Sequence, residues 1–197
     1  QAARLGAEVS MLGRVGNDDF GRALIKSAAD SGVDTSHILP TDGVSSAVGN
    51  VQIEHTEKGT ENRIIVVPGA NFRLTEADTD YLKDSISDYD MVILQHEIPT
   101  CVNLAVARLA KAAGVPVMLN PAPSAEVPEE LLACLTYIAP NEHEAFDICG
   151  ILPDVPPEPR HKTNSRAFPA PGPCPFRRSQ TWTQPSALPT KMPILFS

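Results

Sequence analysis

Four polar residues in the second half of the chain have the types and spacing to handle phosphate and hydroxyl groups. Asn141-Glu142-His143-Glu144 follows the short apolar run Thr136–Pro140. An amide and a carboxylate placed as Asn141-x-x-Glu144 can organise the water shell of Mg²⁺, with Glu144 as the metal-side carboxylate, and can contact phosphate. The same spacing fits a helix capping box, which satisfies orphan backbone donors. Both readings stand on the sequence. Glu97 follows the run Met91–Gln95 and is placed to accept sugar hydroxyls, or is a solvated loop carboxylate. Asn120, in Asn120-Pro-Ala-Pro123, is an amide fixed by two prolines or simply part of a rigid turn. His96 and His143 lack partners at metal-ligand spacing and read as ordinary exposed or satisfied histidines. The stretch Gly13-Arg-Val-Gly16-Asn-Asp-Asp-Phe-Gly21 is neither a dinucleotide fingerprint nor a phosphate-binding P-loop.

The elements that must position these residues alternate. Asp90–Gln95, Val115–Leu119 and Thr136–Pro140 read as strands, with helices between and after them up to Gly150. Such alternation predicts a mostly parallel sheet with helices on both faces and right-handed crossovers. Ligands of open α/β sheets bind outside the carboxyl ends of the strands, so Glu97, Asn120, Asn141 and Glu144 gather along one edge. Upstream, Gln1–Leu5 reads as a final helical turn and Glu8–Leu12 as a strand. A helix over Phe20–Ser31 follows, with Asp18 as its N-cap. Ser45–Glu54 and Arg63–Val67, joined by a polar turn over 55–60, read as a β hairpin better suited to a flap than to a central strand. Thr75 reads as the N-cap of a further helix, and Pro128 opens another over 128–135.

At 197 residues the chain has length for one real core, and its formal net charge is −8. Residues 1–152 carry 22 acidic and 10 basic side chains, an acidic body that argues against a nucleic-acid partner. No apolar run approaches a membrane span, and nothing resembles a signal peptide. Cys101, Cys134, Cys149 and Cys174 show no metal spacing. Three lie on predicted helices and read as buried free thiols, which fits a reducing, cytoplasmic setting.

Composition breaks near Leu152. Residues 153–197 hold 11 of the 19 prolines and no apolar periodicity, so they are expected to be disordered. Two readings of this tail compete: a proline-rich partner-binding segment, or wrong-frame or chimeric sequence, the second being favoured. The N-terminal residue is Gln1, inside an apparent helix, so the chain is expected to begin within a longer protein.

Six blocks together resemble a known family. Ala3-Arg-Leu-Gly-Ala7, Gly13–Gly21, Pro68-Gly-Ala-Asn71, Leu94-Gln-His-Glu97, Leu119-Asn-Pro-Ala-Pro123 and Pro140–Glu144 are similar, in collinear order over about residues 1–152, to the ribokinase branch of the PfkB carbohydrate kinases. The resemblance implies an incomplete ribokinase-like α/β domain over 1–152, with the hairpin at about 44–67 as a lid. It implies transfer of the ATP γ-phosphoryl group to a sugar, D-ribose to ribose 5-phosphate, with Mg²⁺ and a monovalent cation such as K⁺. Glu97, Val51 on the lid and Asn120 become the implied sugar contacts, and Asn141 and Glu144 the implied nucleotide and Mg²⁺ contacts. A homodimer through the lid is implied as well. The family's Gly-Ala-Gly-Asp block, with its base and anion hole, has no counterpart here, nor does its first sugar-binding aspartate. No catalytic residue is therefore assigned, and this chain alone is expected to be inactive. The alternatives are another PfkB sugar or nucleoside kinase, and a non-catalytic sugar-binding remnant whose tail binds partners.

Overall fold

The computed structural model describes residues 1–56, 59–149 and 191–195. A 3₁₀ turn at Ala3–Leu5 closes on Gly6, whose φ of 98° suits glycine. Strand β1 (Glu8–Gly16), helix α1 (Asp19–Asp30) and strand β2 (Val33–Thr41) form the first crossover unit. The hairpin β3 (Val48–Thr56) and β4 (Gly59–Val67) follows. A chain of short turns includes helix α2 (Leu82–Ser85). Then come β5 (Val92–Gln95), α3 (Thr100–Ala113), β6 (Val117–Asn120), α4 (Glu129–Leu132), β7 (Tyr137–Ile138) and α5 (Glu142–Cys149). The last described element is β8 (Lys191–Leu195).

Six strands make one sheet in the order β2-β1-β8-β5-β6-β7, and every pair is parallel. The chain builds outward from its middle in both directions, β1 to β2 on one side and β5 through β7 on the other. The switch point, where open α/β sheets take their ligands, lies between β1 and β5. The core is laid down by alternating or continuous apolar residues of the inner strands. Leu12, Val92, Leu94, Val117 and Leu119 are at most 1% exposed, and α3 covers them with Val102, Val106 and Ala110. Arg14 anchors β1 to the turn at Glu76–Thr79 through two bonds to Asp78, at 2.6 and 3.0 Å, and also bonds Thr41 of β2.

Several expectations need correction. Strand β2 is absent from the sequence reading because its polar alternation and Pro40 mark an edge strand. The helix expected after Thr75 is instead a 3₁₀ turn at Glu76–Thr79, the single turn α2 and another 3₁₀ turn at Ile86–Asp88. Cys101 is exposed and Cys134 and Cys149 are half-buried, so none of the three is the fully buried thiol expected. Disorder does not hold for all of 153–197: Lys191–Leu195 is a central strand, despite Pro193. One proline costs a strand a single donor while its φ remains extended-compatible, and five residues with apolar Met192, Ile194 and Leu195 tolerate that loss. Cys174 and the stretch from 153 to 190 lie outside the described residues.

Candidate active site at the carboxyl edge

Strands β5, β6 and β7 lie side by side, with Gln95 registered on Asn120 and Leu119 on Ile138. Glu97 thus stands two residues past the end of β5, Asn120 at the end of β6, and Asn141 with Glu144 just past β7. The sheet brings these expected residues to one edge. Val51 is elsewhere: it is exposed on the hairpin, on the face shared with Ile53, Ile64 and Val66, while Val48, Ile65 and Val67 occupy the opposite face.

The Asn141–Glu144 pair is held tightly. The Asn141 backbone N–H and side-chain Nδ2 each donate to one carboxylate oxygen of Glu144 at 2.9 Å, and the Glu144 N–H donates back to Asn141 Oδ1 at 2.9 Å. The capping reading is therefore realised, and it buries Glu144 to 6% exposure while Asn141 stays open to solvent. Both Glu144 oxygens are already engaged, and no group of three candidate metal ligands occurs among the described residues. Such a donor set does not form a protein cage for Mg²⁺. An ion held there would have to bring its own water shell, since the buried Glu144 carboxylate already accepts two bonds from Asn141. Nothing in the carboxylate and amide set among the described residues singles out a site for K⁺.

Asn120 is exposed, and the turn that follows it ties the edge together. The His96 N–H donates to the Ala122 carbonyl at 3.0 Å, Ser124 hydrogen-bonds Asp147 of α5, and the Ala122–Pro123 peptide is cis. Glu97 is half-buried, its N–H bonded to the Gln95 side chain. Behind it the fully buried Asn103 of α3 donates to the Gln95 carbonyl at 2.6 Å, which fixes the end of β5. His96 corrects the reading of an ordinary histidine. Both ring nitrogens are shielded from solvent, and neither makes a hydrogen bond of normal geometry. Burial pushes its pKa below the usual histidine value, against the pull of the Pro123 backbone and the Glu144 carboxylate.

Across the switch point, the end of β1 carries a cluster that the motif reading captured only in part. Asp18 caps α1 through Gly21 N–H at 2.7 Å. It also accepts from the Ser46 N–H at 2.8 Å and the Ser46 hydroxyl at 2.7 Å. The Ser46 hydroxyl in turn accepts from Gly16 N–H at 3.0 Å. Bonds from Ser46 and Gly21 hold the Asp18 pKa below the usual carboxylate value. Ser46 precedes β3, and Ser45 O accepts from Ala70 N–H, just after β4, at 2.9 Å. Both roots of the hairpin are thus pinned beside β1. Gly16 and Gly69 permit the approach: a Cβ on either would meet Ser46 N or Ser45 O at 2.4 Å. The glycine spacing before α1 hinted at this cluster; nothing in the sequence singled out Ser46.

A parallel sheet split at a switch point, with acids and amides at its carboxyl edge and a hairpin rooted beside it, defines an open α/β protein, a class whose members take their ligands at that edge. The chain belongs to the pfkB family of carbohydrate kinases, whose family model matches residues 1–162. It is 37% identical over 152 residues to ribokinase from Bacillus subtilis, covering 73% of this chain and 48% of that protein. It is 35% identical over 150 residues to ribokinase from Haemophilus influenzae, covering 76% of this chain and 48% of that one. Its fold superposes on Arabidopsis thaliana ribokinase complexed with ribose and ATP with a TM-score of 0.69 and 29% identity, over 78% of this chain and 50% of that one. The chain spans about half the length of the curated relatives it matches. Among the described residues no helix is long and apolar enough to cross a membrane.

Proposed function

We propose that the edge formed by Glu97, Asn120, Asn141 and Glu144 is part of the active site of an ATP-dependent sugar kinase whose substrate is D-ribose. The observation that carries this reading is the placement of those four residues at the carboxyl ends of three adjacent parallel strands. Similarity to ribokinases, one of them solved with ribose and ATP, supports the choice of substrates. Glu97, anchored through Gln95 and Asn103, accepts sugar hydroxyls. Exposed Asn141 reaches the nucleotide phosphates, and Asn120 lies between the two groups. Mg²⁺ supplies charge neutralisation on the phosphates when bound, with Glu144 ordering its water shell.

In the transfer the sugar hydroxyl oxygen bonds to the γ-phosphorus, the bond to ADP breaks, and the hydroxyl proton passes to a base. The edge carboxylates described here are committed elsewhere. Asp18 accepts three bonds, Glu144 is locked to Asn141, and Glu97 is given to the hydroxyls. This chain by itself is therefore expected not to turn over. The hairpin serves as the lid over the sugar, with Val51 on one of two exposed apolar faces and a second copy of the chain covering the other. A coupled ATP assay with ribose tests the reading: none of the product should form with this chain, and product should form when the chain is extended at both ends. Ribose-independent behaviour of the extended chain would refute it.

A further inference from the structure

Strand β8 occupies the one position in the sheet that joins its two halves. On one side it registers with β1 over five pairs, from Glu8–Lys191 to Leu12–Leu195. On the other it meets β5 through the single pair Ile93–Ile194. Among the described residues β1 and β5 do not pair with each other. Removing β8 would leave two facing strand edges in the middle of the sheet, beside residues such as Leu12 and Val92 that are at most 1% exposed. Backbone donors and acceptors buried there need partners.

We propose that Lys191–Leu195 is a complementing strand, a C-terminal segment that fills a strand-receiving slot between β1 and β5 and so fixes the two halves of the site relative to each other. Its occupant is this chain's own segment. The β1 side of the slot ends at Gly16–Asp18, where the hairpin is rooted, and the β5 side ends at Glu97. The distance across the switch point is set by whatever lies between them. Pro193 removes one donor from the segment, and its hold on β5 is a single registered pair. The β8–β5 seam thus has the fewest registered pairs of any in the sheet, and it is there that β8 can part and exchange. The slot accepts an extended, parallel, largely apolar peptide. This assignment does not depend on the kinase reading.

Amide exchange on the full-length chain, read by mass spectrometry, tests it. The amides of Ile194 and Leu195 should be protected together with those of Glu8–Leu12 and Val92–Gln95. Ile194→Pro should accelerate exchange in β1 and β5 by about tenfold or more, as expected when a cooperative unit opens locally. Adding a synthetic peptide of residues 191–197 to the Ile194→Pro chain should restore protection in β1 and β5, which distinguishes an empty slot from a chain that cannot fold. The proposal fails if Ile194 and Leu195 exchange at the rate of an unstructured peptide, or if Ile194→Pro leaves β1 and β5 protected. It also fails if protection appears only with concentration-dependent dimerisation, because the occupant would then be a second copy's strand.

Discussion

Asn141 and Glu144 satisfy each other at the start of α5, through three hydrogen bonds of 2.9 Å that use both carboxylate oxygens and the amide oxygen. A motif that looks like ligand chemistry is here first a piece of local architecture. The two roles are compatible, because the box orients the exposed Asn141 while keeping Glu144 buried. Asn141→Ala should therefore cost about 1 kcal/mol of stability through the lost cap, measurable by urea unfolding. It should also weaken nucleotide binding in the extended protein more than that loss accounts for.

The Asp18–Ser46 cluster should be sensitive to acid. The folded-state pKa of Asp18 is lowered, so the unfolded state takes up its proton first as pH falls. The stabilisation is present above the unfolded value of about 3.9 and disappears as pH falls through the lowered folded value. Amide exchange at Ser46 and Gly21 should accelerate across that acid range. Asp18→Asn should give fast exchange already at neutral pH, with little further change on acidification.

Arg14 and Asp78 form a partly buried, bidentate pair, with side chains 22% and 10% exposed. Burial raises the Asp78 pKa, but the bonds from Arg14 and Thr75 more than offset it and leave it lowered. Arg14→Met should cost about 2–3 kcal/mol, because it leaves a desolvated carboxylate without its charged partner. Chemical denaturation of both chains checks this. A loss within 0.5 kcal/mol would mean that the pair contributes nothing net.

His96 predicts a gain. Two buried ring nitrogens without a hydrogen bond of normal geometry are costly, so His96→Leu should stabilise the fold by about 1 kcal/mol at neutral pH. The lowered pKa means that the unfolded chain protonates first. Wild-type stability should then fall as pH drops below about 6.5, towards the folded value. Thermal unfolding between pH 7.5 and 5 should show that slope in the wild type and a shallower one in His96→Leu.

The sequence exposed the parts of this fold whose causes are local. Runs of apolar residues ending in Glu97, Asn120 and Asn141 marked three parallel strands, and Asp18 marked the start of α1. Elements that depend on tertiary partners stayed hidden. Edge strand β2 carries polar residues on its open side, and β8 has a proline in the sheet centre, so neither shows the expected pattern. Ser46 and Asn103 act through contacts 28 and 8 residues away, which no spacing rule reveals. His96 gave no sign of its burial, because the Asn120–Pro123 turn that covers it comes from another strand.

The central claim is that this carboxyl edge belongs to a ribose kinase, and steady-state phosphorylation of ribose tests it most directly. A chain extended at both ends should turn over at about 1–100 per second, Glu97→Gln should raise its KM for ribose far more than its KM for ATP, and the 197-residue chain should show no ATP-dependent product. Full turnover by the 197-residue chain, or a Glu97→Gln enzyme with an unchanged KM for ribose, would contradict the account.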